Sequence, residues 1–418
     1  MTRILIRGTK SPFEAVSAER MLRDNLIANN SGNLLFLETA WKILSTKGTE
    51  ITADRLSAHR LGADRINDRF DHYVIPLANA FRRSYMDSLI RLTRVIERLT
   101  IPVTVLGVGV QFARSHEPGA VRPFDDAVKA FARAVLDRSP SIGVRGETTQ
   151  AYLRELGFRD VEVIGCPSMF LHGERIEVTK SMPTLERDAR IGMGITPTVP
   201  AMGPIVMSNV GRYPNLEYLA QDIDALRLLL WGESSAGASD GNGLPIHLSH
   251  PLLRDDKSVF FVDPWPWLDH MRETDFVFGS RIHGSIAAVL SGTPSYLLAH
   301  DARTLELARY FDLPHRPMAD TPPDIDAADL YAEADFGPLK AGHPERFRRF
   351  TGYLEQHGLR HVFQPGEDTT AFDTRLAGVR FPAPVRVSPV TTVRRTRRRA
   401  WDLAGQLRMA AKQGLRRA

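Results

Sequence analysis

Short apolar runs alternate with stretches whose apolar residues recur every three or four positions through most of the chain. This is the pattern of a mostly parallel β-sheet with helices on both faces, so the expected fold class is α/β. In the first part the pattern predicts strands at Arg3–Arg7, Tyr73–Ile75, Thr104–Val108, Ser141–Val144 and Val161–Ile164. Helices are predicted at Leu34–Leu44, Tyr85–Leu99, Phe124–Leu136 and Thr148–Leu156. His172 to Asp188 is polar and breaks the rhythm. A second series follows, with strands at Ile191–Ile195, Ser258–Val262, Phe276–Phe278 and Ser295–Ala299, and helices at Leu216–Leu230 and Thr304–Phe311. The expected division is a first α/β unit at residues 1–185, a second at 186–340, a helical return segment at 341–383 and a basic tail at 384–418. Ala236 to Asn242 is a loop by composition.

Composition changes this picture in three ways. A chain of 418 residues with 43% hydrophobic content can bury two substantial cores. The formal charge of +5 is uneven: between Pro384 and Ala418 ten Arg or Lys residues face one acid, a net of +9 that leaves −4 for the first 383 residues. The body therefore gives no support for a specific nucleic-acid partner, and the tail is a separate, basic element. The single cysteine, Cys166, excludes an internal disulfide and a multi-cysteine metal site. The histidines follow no metal-ligand spacing, so no metal is expected. The opening run Met1-Thr-Arg-Ile-Leu-Ile-Arg-Gly8 begins a strand at once without a signal-peptide pattern, and no apolar run reaches membrane-spanning length, which predicts a cytoplasmic protein.

Four constellations carry candidate chemistry. Asn29-Asn-Ser-Gly-Asn-Leu34 opens into a helix whose first amides are unpaired; Gly32 permits close approach, and Asn30 and Asn33 offer hydrogen bonds, so capping and ligand binding are both open readings. Leu106-Gly-Val-Gly-Val-Gln111 ends a strand in two glycines, of which Gly109 lets something pack against the backbone. Ser141-Ile-Gly-Val-Arg-Gly-Glu147 puts Arg145 at a strand end, either to grip a carboxylate or phosphate or to pair with Glu147. Gly279-Ser-Arg-Ile-His-Gly284 places Ser280, Arg281, His283 and Gly284 between a strand and a helix, where α/β proteins bind ligands. Downstream, Leu298-Ala-His-Asp-Ala-Arg-Thr304 repeats that logic with His300, Asp301 and Arg303, Asp301 being also a candidate helix cap. Val262-Asp-Pro-Trp-Pro-Trp-Leu268 reads as a rigid turn whose indoles either pack or stack on a sugar.

These constellations, in this order, resemble the polysaccharide pyruvyltransferase family. The likeness is clearest in Phe278-Gly-Ser-Arg-Ile-His-Gly-Ser-Ile-Ala-Ala-Val-Leu-Ser-Gly-Thr-Pro294, similar to the family's Ser-Arg-apolar-His box followed by a helix and Gly-x-Pro. Gly143-Val-Arg-Gly-Glu147 resembles its strand-end arginine. Asn33 stands where the family's Asn-x-Gly-Asp loop has Asp, and Cys166 stands where its Gly-Asp-Pro element has Asp. The resemblance implies two Rossmann-like domains with parallel sheets in a GT-B-like arrangement. It implies transfer of an enolpyruvyl-derived unit from phosphoenolpyruvate to two hydroxyls of a sugar, forming a pyruvate ketal in cell-surface or exopolysaccharide synthesis, without a cofactor. On that reading Arg145 and Arg281 clamp the donor, and His283, favoured in its protonated form by adjacent anions, is the general acid. Asn30, Gly32, Asn33, Gly109, Ser280, Gly284, His300 and Asp301 then bind substrate; no base for the sugar hydroxyls is identified, and Asp301 and Glu233 are only candidates. The acceptor is a sugar or a lipid-linked oligosaccharide. Outside the resemblance, Arg394-Arg-Thr-Arg-Arg-Arg399 and the segment after it, with Leu403, Leu407, Ala411 and Leu415 every four residues, read either as an interfacial helix that brings the enzyme to the inner face of the membrane or as a disordered basic tail, with nonspecific RNA adhesion a third outcome. The alternatives are a GT-B nucleotide-sugar glycosyltransferase and a non-catalytic sugar- or anion-binding protein.

Overall fold

The computed structural model describes residues 1–112, 119–234 and 242–387. It has two parallel sheets. In the first, β2 (Thr49–Ala53), β1 (Thr2–Ile6), β3 (His72–Pro76) and β4 (Val103–Leu106) lie side by side in that order. The parallel pair β5 (Ile142–Val144) and β6 (Val161–Val163) continues it, joined through the Val108–Val144 bridge. A buried tyrosine seals the junction: Tyr353 Oη accepts from Gly143 N at 2.9 Å and donates to Val105 O at 2.7 Å. Tyr353 lies on the helix Gly337–Gln356, which crosses from the second unit back to the first.

The second sheet runs β12 (His315–Pro317), β11 (Ser295–Ala299), β10 (Phe276–Gly279), β7 (Ile191–Gly194), β8 (Leu216–Ala220), β9 (Ser258–Phe260). Every pairing in it is parallel. The central strands are buried on both faces, as continuous apolar strands under two helical layers must be. The order reverses direction between β7 and β10, and in the first sheet between β1 and β3. These are the points where a doubly wound sheet opens a crevice at its carboxyl edge. The α/β class with two Rossmann-like sheets therefore holds.

Several expectations need correction. The helix expected over Leu216–Leu230 is strand β8 followed by the helix Ile223–Trp231. A central strand covered on both faces is apolar throughout, and its periodicity cannot be told from that of a buried helix. The turn expected at Val262–Leu268 is the start of a helix, Pro264–Arg272, with proline in its first turn, where no amide hydrogen is needed. Its indoles pack: Trp267 is buried and Trp265 Nε1 donates to Glu38 Oε2 at 2.6 Å. The residues read as the start of the tail belong to the fold, since Val385 pairs with Phe260 and Arg386 meets Glu217 at 2.7 Å. The basic run Arg394–Arg399 and most of the loop Ala236–Asn242 lie outside the described residues.

Candidate active site

The turn after β10 is fixed by its own hydrogen bonds. Gly279 adopts φ 135°, a conformation open to glycine, beside Gly194 at the end of β7. Ser280 N donates to Gly194 O at 2.8 Å, and Ser280 Oγ accepts from Thr196 N at 3.0 Å. Ser280 is therefore buried and holds the two strand ends together. Arg281 precedes the helix Ile282–Leu290, and its guanidinium turns to Asp222, with Nε donating to Ile195 O at 3.3 Å. His283 lies in the first turn of that helix.

The first unit meets this turn with the loop before its helix Gly32–Leu44. Ser31 N donates to Gln221 O at 3.0 Å and Ile223 N to Asn29 O at 3.2 Å, so the loop is stitched to the end of β8 by main-chain bonds. Asn30 Oδ1 accepts from Gly32 N at 2.9 Å, while its Nδ2 lies 3.4 Å from Asp222 Oδ1. Asn33 Nδ2 donates to the carbonyls of Ile27 and Ala28 at 3.2 and 3.0 Å, closing the loop on itself. Gly32 packs directly against a side chain of the second unit. A Cβ there would stand 2.4 Å from His283 Cγ, so the glycine is the seat of the imidazole. Gly109 plays the same part for Arg145, whose Nε would be 2.2 Å from a Cβ.

Arg145 is 4% exposed, and its Nε has no hydrogen-bond partner. Burial, with Arg303 nearby and Glu306 partly offsetting, lowers its pKa to about 10. The expected alternative, a surface pair with Glu147, is ruled out by that burial. His283 is pushed to about 3 by burial and by Arg145, Arg303 and Arg281 around it. The protein's own charged neighbours of the ring are therefore cations, and any anion that favours the imidazolium must come with the substrate. Its Nε2 lies 3.9 Å from Cys166 Sγ, a thiol that burial keeps protonated. Asp301 caps the helix Ala302–Phe311 through Thr304 N at 2.8 Å and pairs with Arg303 at 3.1 Å, so its lone pairs are committed. His300 lies 3.6 Å from Asp301, and its Nδ1 has no partner.

A cavity of about 300 Å³ lies between the two crevices. Asn30, Asn33, Arg145, Ser280, Arg281, His283 and His300 line it; Gly32, Gly109, Gly284, Asp301 and Glu233 do not. Arg303 of the run Leu298–Thr304 also lines it, as do Arg7, Arg82, Gln221 and Asp222, which the sequence did not single out. Arg82 and Arg303, like Arg145, have an Nε without a partner, and proximity to Arg303 together with burial lowers the pKa of Arg82. Arg82 belongs to no motif. Among the described residues no group of three or more His, Cys, Asp and Glu is placed to hold a metal ion, and no helix is long and apolar enough to cross a membrane.

Two facing α/β units thus enclose a cleft lined by Arg7, Arg82, Arg145, Arg281 and Arg303. The model of the polysaccharide pyruvyl transferase family matches residues 30–302, and the chain belongs to that family. The match takes in the Asn30 loop, Arg145, Asp222 and the Arg281–His283 turn. No curated protein sequence matches the chain. Similar solved structures include the UDP-GlcNAc 2-epimerase of Neisseria meningitidis bound to UDP-GlcNAc, at 11% identity over 85% of this chain and 100% of that one, with a TM-score of 0.45. The UDP-GlcNAc 2-epimerase of Methanocaldococcus jannaschii in complex with UDP-GlcNAc and UDP is another, at 10% identity over 85% and 99%, with a TM-score of 0.42. Likeness at this level carries no functional weight.

Proposed function

We propose that the protein transfers a pyruvyl unit from phosphoenolpyruvate to two hydroxyls of a sugar, forming a ketal. The observation that carries this reading is the buried arginine cluster around a neutral imidazole at the junction of the two crevices. Phosphoenolpyruvate presents a carboxylate and a phosphate close together, and Arg145, Arg82 and Arg303 offer guanidinium hydrogens without full partners. Arg281, held by Asp222, completes the cationic wall. An imidazole held at about 3 by burial and the surrounding arginines gains proton affinity when such an anion enters. Protonated His283 then delivers a proton to the donor's methylene carbon, leaving oxocarbenium character at the neighbouring carbon. The first sugar hydroxyl adds there and loses its proton. Phosphate departs with its bonding pair, and the second hydroxyl closes the ketal while its own proton passes to the departing phosphate.

The test is a mass-spectrometric screen of sugars and lipid-linked sugars incubated with phosphoenolpyruvate. The expected product is acceptor carrying a pyruvyl ketal, with released phosphate. Protection by uridine or guanosine diphosphates but not by phosphoenolpyruvate would instead favour nucleotide-sugar transfer, and binding without turnover would favour a non-catalytic role. On the same reading the enzyme works at the inner face of the membrane, with the basic tail as anchor. Intact protein should sediment with anionic liposomes at low salt, and protein truncated after residue 387 should not. Equal sedimentation of the two would remove the tail from the scheme.

A further inference from the structure

Pyruvyl transfer needs a group to take the proton of the first attacking hydroxyl, and neither Asp301 nor Glu233 reaches the cavity. Among the described residues, one carboxylate lines it: Asp222, at the end of β8. Its Oδ2 is held by Arg281, which fixes the side chain. Its Oδ1 has only Asn30 Nδ2, at 3.4 Å, a long bond that leaves this oxygen free to accept another hydrogen. The preceding residue supplies a second, independent observation. Gln221 is 1% exposed and lines the same cavity, yet neither its Oε1 nor its Nε2 has a hydrogen-bond partner. Buried amides are seldom left with both ends unsatisfied, and this one can donate to one hydroxyl while accepting from another. Gly284 keeps the space beside it: a Cβ there would stand 2.9 Å from Gln221 Nε2.

We propose that Gln221 and Asp222 form the acceptor subsite, with Asp222 as the catalytic base that receives the proton of the sugar hydroxyl. The assignment rests on the pyruvyl-transfer reading and adds a polarity to it. The donor's anionic groups face Arg145, Arg82 and Arg303, while a neutral polyhydroxyl faces the amide and the carboxylate, which would repel a phosphate. As the hydroxyl oxygen bonds to the donor's central carbon, its O–H bond breaks toward Asp222 Oδ1. The methylene carbon has taken its own proton from His283, so donor and acceptor protons travel by separate groups.

Burial raises the pKa of Asp222 above the ordinary carboxylate value, in spite of Arg281. The charged or titratable groups around it are Arg281 from the β10 turn, Asp224 on its own helix and Tyr218 on β8. The ionised base is therefore lost as pH falls, which gives the parent enzyme an acid limb in kcat/KM for the acceptor. The experiment uses the full chain, phosphoenolpyruvate and an acceptor identified by the screen. Asp222→Asn should lower kcat by roughly 10²–10⁴-fold, abolish the acid limb and leave phosphoenolpyruvate affinity by calorimetry within about threefold. Gln221→Leu should raise the acceptor KM by about tenfold or more with donor affinity unchanged. The assignment is overturned if D222N turns over at the parent rate, or if it is slowed but keeps the parent acid limb and loses donor affinity, the behaviour of a mere partner of Arg281. Should D222N fail to fold, an unchanged acceptor KM in Q221L overturns it alone. A parent enzyme that releases no phosphate with any acceptor overturns the pyruvyl-transfer reading, and this assignment with it.

Discussion

Gly32→Ala isolates the contact through which the first unit positions the chemistry of the second. Gly32 is the first residue of a helix and does not use a positive φ, so its backbone accepts alanine. In an exposed helix interior this exchange would stabilise by up to about 1 kcal/mol. Here the added methyl would stand 2.4 Å from His283 Cγ, 2.5 Å from Nδ1 and 2.6 Å from Cβ, about 1 Å inside ordinary contact with each. Rotation of the ring cannot relieve the clash with His283 Cβ, which is bonded to the helix backbone. The helix start or the Asn30 loop must give way, at an overpacking cost of about 1–3 kcal/mol. A displacement of about 1 Å in a reacting group costs on the order of 10²-fold in rate. We therefore expect Gly32→Ala to lose about 100-fold in kcat while Tm falls by a few degrees. Gly352→Ala serves as control, because a Cβ at that helical position meets nothing within 4 Å. Turnover is read as phosphate release, and Tm by thermal melting. A Gly32→Ala protein with parental kcat and parental Tm would show that this contact does not seat the imidazole.

Gly109→Ala should act on binding instead, since its Cβ would press on Arg145 Nε at 2.2 Å; calorimetry should show weakened phosphoenolpyruvate affinity, and unchanged affinity would remove Arg145 from the donor site. Donor binding near pH 6 should draw a proton into the protein, because an anion raises the His283 pKa from about 3; titrations in buffers of different ionisation enthalpy should show uptake in the parent and none in His283→Gln. The buried cluster of Lys10, Glu38 and Asp263, with contacts of 3.0 and 2.5 Å, gives two acids one cation. Burial and Glu38 push Asp263 to about 7, above its unfolded value of ~3.9, so its stabilising effect is full below about pH 4 and fades as pH rises through about 7. Asp263→Asn should flatten that part of the curve of unfolding free energy against pH by roughly 1–4 kcal/mol; parallel curves would place the proton elsewhere.

The strand–helix alternation was legible because each buried parallel strand is a short apolar run between polar turns, and the corners of both sheets followed from it. Asp222 was hidden for the same reason that β8 was. The run Leu216–Leu230 satisfies helical spacing, so an acid within it reads as part of a solvated helix face rather than as a residue at a strand end. The strand β2, Thr49–Ala53, has a burial pattern that alternates without a fully buried residue, and its Thr and Glu gave no apolar signal. The glycines mark points of close approach, and the side chains that fill them are His283 at Gly32 and Arg145 at Gly109. Sequence spacing shows that a backbone must be approached; only the fold shows that His283 and Arg145, distant in the chain, do the approaching. Arg82 has no local signature at all, and its place in the cavity follows from the β3 strand end meeting a helix of the other unit.

The departure at Cys166 from the family's Gly-Asp-Pro element falls within reach of the imidazole, which makes it testable. Sγ lies 3.9 Å from His283 Nε2, and burial keeps the thiol protonated, so it offers the ring no charge. The ring's charged neighbours are three arginines, and its pKa is about 3. An ionised carboxylate at that separation would stabilise the imidazolium by up to about 4 kcal/mol at an effective dielectric of 20, or about three pKa units. Burial opposes ionisation of the new acid, so the shift in Cys166→Asp should be smaller than this but upward. The nearby Arg145 guanidinium would favour the ionised form. Histidine-selective NMR titration of the unliganded protein measures it directly, with Cys166→Asn as the neutral counterpart of similar size. A rise of one unit or more in the Asp variant alone would place residue 166 in control of the acid's resting charge. With that charge supplied by the protein, donor binding should take up fewer protons near pH 6 than in the parent. If His283 titrates alike in both variants and the parent, the imidazole is governed by the arginines alone, and the cysteine is there for packing.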